Sequence, residues 1–68
     1  MQTEPARPLE VGTRLTYYNH ERMQEVEAVV RSAGMYMLWV VDVQEPPENG
    51  ARDHYICYAD IVQVYSAS

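Results

Sequence analysis

Two histidines each stand beside a carboxylate, as His20-Glu21 and Asp53-His54, and the lone cysteine, Cys57, follows His54 by three residues. Imidazole, carboxylate and thiol are the groups that ligate metals or carry nucleophilic catalysis. A metal centre needs three or four such donors converging, and neither pair has the spacing of a metal motif. In an alternating strand, positions 54 and 57 face opposite ways. No glycine loop accompanies them to hold an oxyanion. The expectation is therefore two loop histidines with solvated carboxylate neighbours, and a buried cysteine behaving as a small hydrophobe. No catalytic residue, metal ligand or cofactor is expected.

All five basic residues are arginine. Without an ε-amine the chain cannot run Schiff-base chemistry, use a Lys general base or form a phosphate-loop NTPase site. Its aromatic residues are six Tyr and one Trp, with no Phe, so nearly every ring carries a polar tip and suits interfaces as well as cores. Tyr17, Tyr18, Tyr36, Tyr55, Tyr58 and Tyr65 could form a cage for a cationic or extended peptide ligand, with Glu25, Glu27 or Asp60 adding charge. The competing reading makes half of them core or cross-strand rings.

Ten acidic residues against five basic give a net charge of −5 and a pI near 4.7, which opposes approach to phosphate backbones. Arg7, Arg14, Arg22, Arg31 and Arg52 are scattered along the chain. The apolar run Met35 to Val41 is too short to span a bilayer, and residues 1–10 carry no apolar stretch resembling a secretion signal. A cytoplasmic, non-membrane protein is expected. Sixty-eight residues allow one small domain, whose core contributes only about 3–5 kcal/mol of net stability. With one cysteine, no internal disulfide can help. Self-association is the remaining aid.

The elements that must position these residues are short. Residues 1–10 read as an extended, frayed lead-in with Pro5 and Pro8, residues 11–65 as the domain, and 66–68 as a frayed end. Leu15 and Tyr17 alternate with Arg14, Thr16 and Tyr18, a strand signal. The stretch from His20 to Gly34 has two readings. As a helix, Asn19 caps it, Met23, Val26, Val30 and Ala33 form a stripe, and Gly34 ends it. As a strand, Val26, Ala28 and Val30 alternate with charged neighbours. Met35 to Gln44 is the strongest strand, ended by Pro46, Pro47 and the Asn49-Gly50 pair. His54 to Tyr58 and Ile61 to Tyr65 follow as strands around the Ala59-Asp60 turn.

The central strand is apolar on both sides. Met37, Trp39, Val41 and Val43 line one, and Tyr36, Leu38 and Val40 line the other until Asp42 interrupts it. A half-exposed sheet would show polar residues on one side. The second set, Tyr36, Leu38 and Val40 with neighbouring Tyr55 and Tyr58, is the expected partner-binding surface, rimmed by Glu25 and Glu27.

The order of strands, with a long central one, a Pro-rich loop, a tight turn and a final strand, resembles the five-stranded small barrels of the Sm-like and Tudor-like kind, within the Src-homology-3-like architecture. The ending Ile56-Cys57-Tyr58-Ala59-Asp60-Ile61-Val62-Gln63-Val64 is similar to the second Sm motif in register, and Gly34 to Leu38 occupies the place where the first motif closes. The resemblance implies an all-β small barrel; a strand–helix–strand–strand α+β domain is the alternative should His20 to Ala33 be helical. The nucleotide contacts of RNA-binding Sm proteins have no counterparts at Gly34 to Tyr36 and Cys57-Tyr58, though Tyr36 and Tyr58 could stack on bases. The expected function is that of a non-catalytic binding module that self-associates or docks on a larger partner, such as one with a basic surface, as an adaptor or inhibitor. An Sm-like ring on single-stranded RNA and an enzyme formed at an oligomer pore are the alternatives.

Overall fold

The computed structural model describes residues 5–43 and 54–65. The Pro-rich loop, Gln44, Arg52, Asp53 and both chain ends, including the predicted frayed end at 66–68, lie outside the described residues. The fold is all-β. Strands β1 (Arg14–Asn19), β2 (Gln24–Ala33), β3 (Met37–Asp42) and β4 (His54–Cys57) are followed by a 3-10 turn over Tyr58–Asp60 and then β5 (Ile61–Val64). All pairings are antiparallel, in the order β4-β3-β2-β1-β5. The sheet curls into a small barrel-like form without closing, because β4 and β5 are its two edges. Among the described residues no helix is long and apolar enough to cross a membrane.

The helical alternative for residues 20–33 is overturned. That stretch is a turn followed by the ten-residue strand β2, so the α+β alternative falls with it. The strand wins because it places Val26, Ala28 and Val30 on one face. There Val26 and Ala28 lie opposite Tyr17 and Leu15 of β1, and Val30 opposite Val40 of β3. A helix would turn Ala28 to the face opposite Val26 and Val30. The Asn19 signal was real but serves a hairpin. Its Oδ1 accepts the N–H groups of Glu21 and Arg22 at 2.9 and 3.0 Å, closing an Asx turn between β1 and β2.

Leu15, Tyr17, Ala28, Val30, Leu38, Val40, Ile56, Tyr58 and Ile61 form the buried core. Two register shifts bend the sheet around it: one between Val30 and Ser32, where Arg31 is the extra residue, and one opposite Thr16 and Tyr17, where Val62 is. A turn from Glu10 to Thr13 starts the barrel. The Thr13 N–H bonds Glu10 O at 3.2 Å, and Gly12 at φ +93 takes the left-handed place of a type II turn. The lead-in expected to fray is docked over residues 7–9. Leu9 packs against the core and donates its N–H to Tyr58 Oη at 3.3 Å. The Arg7 guanidinium lies 4.7 Å above the Tyr58 ring, and the Tyr58 hydroxyl donates to Gly34 O at 2.7 Å.

Candidate functional site

The surface expected from the sequence is split by the fold. Leu38 and Val40 are 1% and 0% exposed and Tyr58 is 1% exposed, so these three are core residues and cannot meet a partner. Tyr36 and Tyr55, at 81% and 62%, are outward. The two apolar sides of β3 therefore exchange roles. Leu38 and Val40 pair with Ala33 and Val30 of β2 and with Ile56 and His54 of β4, and they fill the barrel. The side carrying Met37, Trp39 and Val41 faces out.

On that outer face Met37 lies opposite Cys57, Trp39 opposite Tyr55, and Val41 opposite Val29. The Trp39 and Tyr55 ring centroids are 4.7 Å apart, a cross-strand aromatic contact. Met35, Tyr36, Met37, Trp39 and Tyr55 are all exposed. A shallow depression of about 240 Å³ runs among Ser32, Ala33, Gly34, Met37, Trp39 and Tyr55. Cys57, expected to be buried, is exposed on the same face as Met37. Glu27 does not rim this patch, because it pairs with Arg14 across the β1–β2 ladder; Glu25 lies opposite Tyr18 on the same pair of strands.

A second depression lies where the sheet fails to close. β5 pairs with β1 only over Leu15, Thr16 and Tyr17, which leaves the end of β1 without a β5 partner. There Tyr17, Tyr18, Asn19, His20, Glu21, His54, Tyr55 and Asp60 line a cleft of about 190 Å³. His20 Nε2 is 3.0 Å from Asp60 Oδ1, and the His20 ring stacks edge-on to Tyr18 at 5.0 Å. Among the described residues no Arg or Lys belongs to the lining. The histidines thus pair differently from the sequence expectation. His20 lies in the turn after β1 and meets Asp60, while His54 is a strand residue facing Asp42, its sequence neighbour Asp53 lying outside the described residues.

Behind the cleft sits a buried polar group. Asp42 is 3% exposed, and its Oδ1 accepts the Tyr17 hydroxyl at 2.8 Å. Its Oδ2 points toward His54 Nε2 at 3.5 Å and has no hydrogen bond among the described residues. Burial first, and then the hydrogen bond and charge of Asp42, push the Tyr17 phenol up to about 12, while Asn19 and Arg22 pull the other way. The residue that marks a polar interruption in the sequence is thus an inward one, held by partners from β1 and β4.

The six tyrosines do not form one cage. Tyr17 and Tyr58 are buried, and Tyr65 shares a hydrogen bond with Thr16 at 2.9 Å. Tyr17, Tyr18 and Tyr55 meet at the seam cleft. Stacking on bases through Tyr58 is excluded by its burial under Arg7. Among the described residues no three His, Cys, Asp or Glu side chains gather as a metal site. Sequence reasoning missed Met37 and Trp39 as surface residues and Asp42 as a core one. The cross-strand signal for Trp39–Tyr55 requires register, which period-two alternation does not supply. Comparison of the chain with protein-family models, curated proteins and solved structures finds no match.

Proposed function

We propose that the chain is a non-catalytic binding module that acts through protein–protein association, with a second copy or a larger partner, and that its contact surface is the outer face of β3 and β4. The observation that carries this reading is the exposed group Met35, Tyr36, Met37, Trp39 and Tyr55, next to an edge strand whose far side has no ladder among the described residues. Small soluble domains rarely leave such a patch open without a use for it, and aromatic and Met side chains are the ones enriched where partners meet. The strand His54–Cys57 carries no Lys, Glu or Pro that would block pairing along its edge. The net charge of −5 favours a partner with basic character over a nucleic acid. The Sm-like and Tudor-like reading of the architecture is part of the same proposal; what supports it is the strand order with β5 returning to β1 after a 3-10 turn.

Trp39→Asp and Tyr55→Asp, both at outward positions, test the reading. Light scattering over a concentration series gives the native mass, and a displayed peptide library gives docking. The expected result is a loss, in both variants, of either the self-associated mass or the peptides retained by the wild type. A wild type that is monomeric throughout and retains no peptide better than the variants would falsify the proposal.

A further inference from the structure

Among the described residues Tyr55 alone lines both depressions. In one it joins Met37, Trp39, Ala33 and Gly34, an apolar floor. The other is the seam cleft, with Glu21 and Asp60 in its wall and no Arg or Lys among the described lining residues. Arg22 acts on Tyr17 from the turn beyond but is not part of that wall. Asp42, buried behind the cleft with Oδ2 lacking a hydrogen bond and directed at His54, adds a further carboxylate on the same side. Two depressions of opposite character therefore share Tyr55, beside an edge strand.

We infer that the occupant of this surface is an extended peptide segment of a partner protein that presents one apolar and one cationic side chain, arginine or lysine, on the same side. The apolar side chain lies over Met37, Trp39 and Tyr55. The cationic one enters the seam cleft toward Glu21 and Asp60. The segment runs beside β4, an edge strand whose outer side has no ladder among the described residues, and adds to it there. In a strand, residues i and i+2 project to one face about 7 Å apart, a step that clears one aromatic ring. The inference rests on the chain being a binding module and names what it binds. Charge decides against a second copy as occupant, since two chains of −5 repel and neither carries a cation to place in the other's cleft from its own β4, which reads His-Tyr-Ile-Cys.

The test uses the full chain and blocked peptides of the form Thr-Leu-Thr-Arg-Thr, with twins in which Arg is replaced by Gln or Leu by Ser. None contains Trp, so emission from Trp39, the only tryptophan, reports binding alone. The Leu–Arg peptide is expected to shift that emission and to bind about fivefold more tightly than its Gln twin at low salt, the scale of one or two part-exposed ion pairs. The advantage should shrink in high salt and vanish in the Glu21→Gln, Asp60→Asn double variant, with the far-ultraviolet spectrum unchanged. The Ser twin should bind more weakly than the parent with the salt effect retained. Equal binding of the Arg and Gln peptides overturns the paired occupant while leaving the module reading intact. If no peptide binds but Trp39→Asp still alters the native mass, the occupant is a second copy and the inference is wrong. If neither measurement responds, both readings fall together.

Discussion

Replacing Tyr17 by Phe removes one oxygen from the most enclosed polar contact of the molecule. In the folded chain the Tyr17 hydroxyl donates to Asp42 Oδ1 at 2.8 Å, and Asp42 Oδ2 has no hydrogen bond among the described residues. Loss of a donor to a buried charged acceptor costs about 1.5–3 kcal/mol, a large share of the roughly 3–5 kcal/mol that a domain of this size has. The same contact predicts a pH dependence. The folded phenol is pushed up to about 12 from an ordinary 10.0, so the folded state holds its proton where the unfolded state releases it. A raised value contributes stability that is fully present below pH 10 and is lost as pH climbs toward 12. At about 1.4 kcal/mol per pH unit, the gap amounts to about 2–3 kcal/mol. Urea unfolding of the wild type and the Phe variant at steps from neutral pH to pH 12 measures both effects. The wild type should lead at neutral pH, and its lead should narrow by about 2–3 kcal/mol across the alkaline range. A tyrosinate absorbance titration should show a late-ionising ring in the wild type that is absent from the variant. A lead that stays constant from neutral pH to pH 12 would refute the role given to the Tyr17–Asp42 contact.

Leu38→Ala should cost about 2–5 kcal/mol and leave most of the chain unfolded by circular dichroism, because Leu38 is fully enclosed; a folded variant with altered native mass would instead mark it as an interface residue. Asn19→Ala leaves the N–H groups of Glu21 and Arg22 without their acceptor and should lower the unfolding free energy by about 1 kcal/mol, with no change in the Trp39 spectrum. At Gly12 an added Cβ meets nothing within 4 Å, but φ is +93. Gly12→Ala should therefore cost about 1–2 kcal/mol through the backbone alone, as read from the urea midpoint, and a D-alanine at the same place should cost far less. Cys57, on the exposed edge strand, should react with a thiol reagent in the native state as fast as in urea, and a rate that rises steeply on unfolding would place it in the core.

The sequence legibly carried the strands. Alternation around Leu15 and Tyr17, the unbroken apolar run from Met35 and the turn at Ala59-Asp60 each survive in β1, β3 and the 3-10 turn before β5. It carried less of the site, for reasons that can be stated residue by residue. Both sides of β3 are apolar, and a period of two separates Leu38 and Val40 from Met37 and Trp39 without saying which pair is inside. Asp42 pointed to the wrong answer, since a carboxylate ordinarily marks the wet side. It sits inside because Tyr17 and His54, distant in sequence, are brought to it by β1 and β4. Asn19 was equally informative in both readings of residues 20–33, because its side chain satisfies backbone N–H groups at the start of a helix or of a turn alike.

What the sequence determined by itself is the material: a short acidic chain without Lys, strands rich in Tyr and Val, and more apolar strand surface than one small core can enclose. Which side of that surface is enclosed was decided only in three dimensions. Register sets Leu38 against Ala33 and Ile56, and Trp39 against Tyr55. The short β1–β5 ladder leaves the sheet open, so a cleft forms between the end of β1 and β4. Long-range pairings choose these neighbours, and a pattern local to each strand contains no record of them.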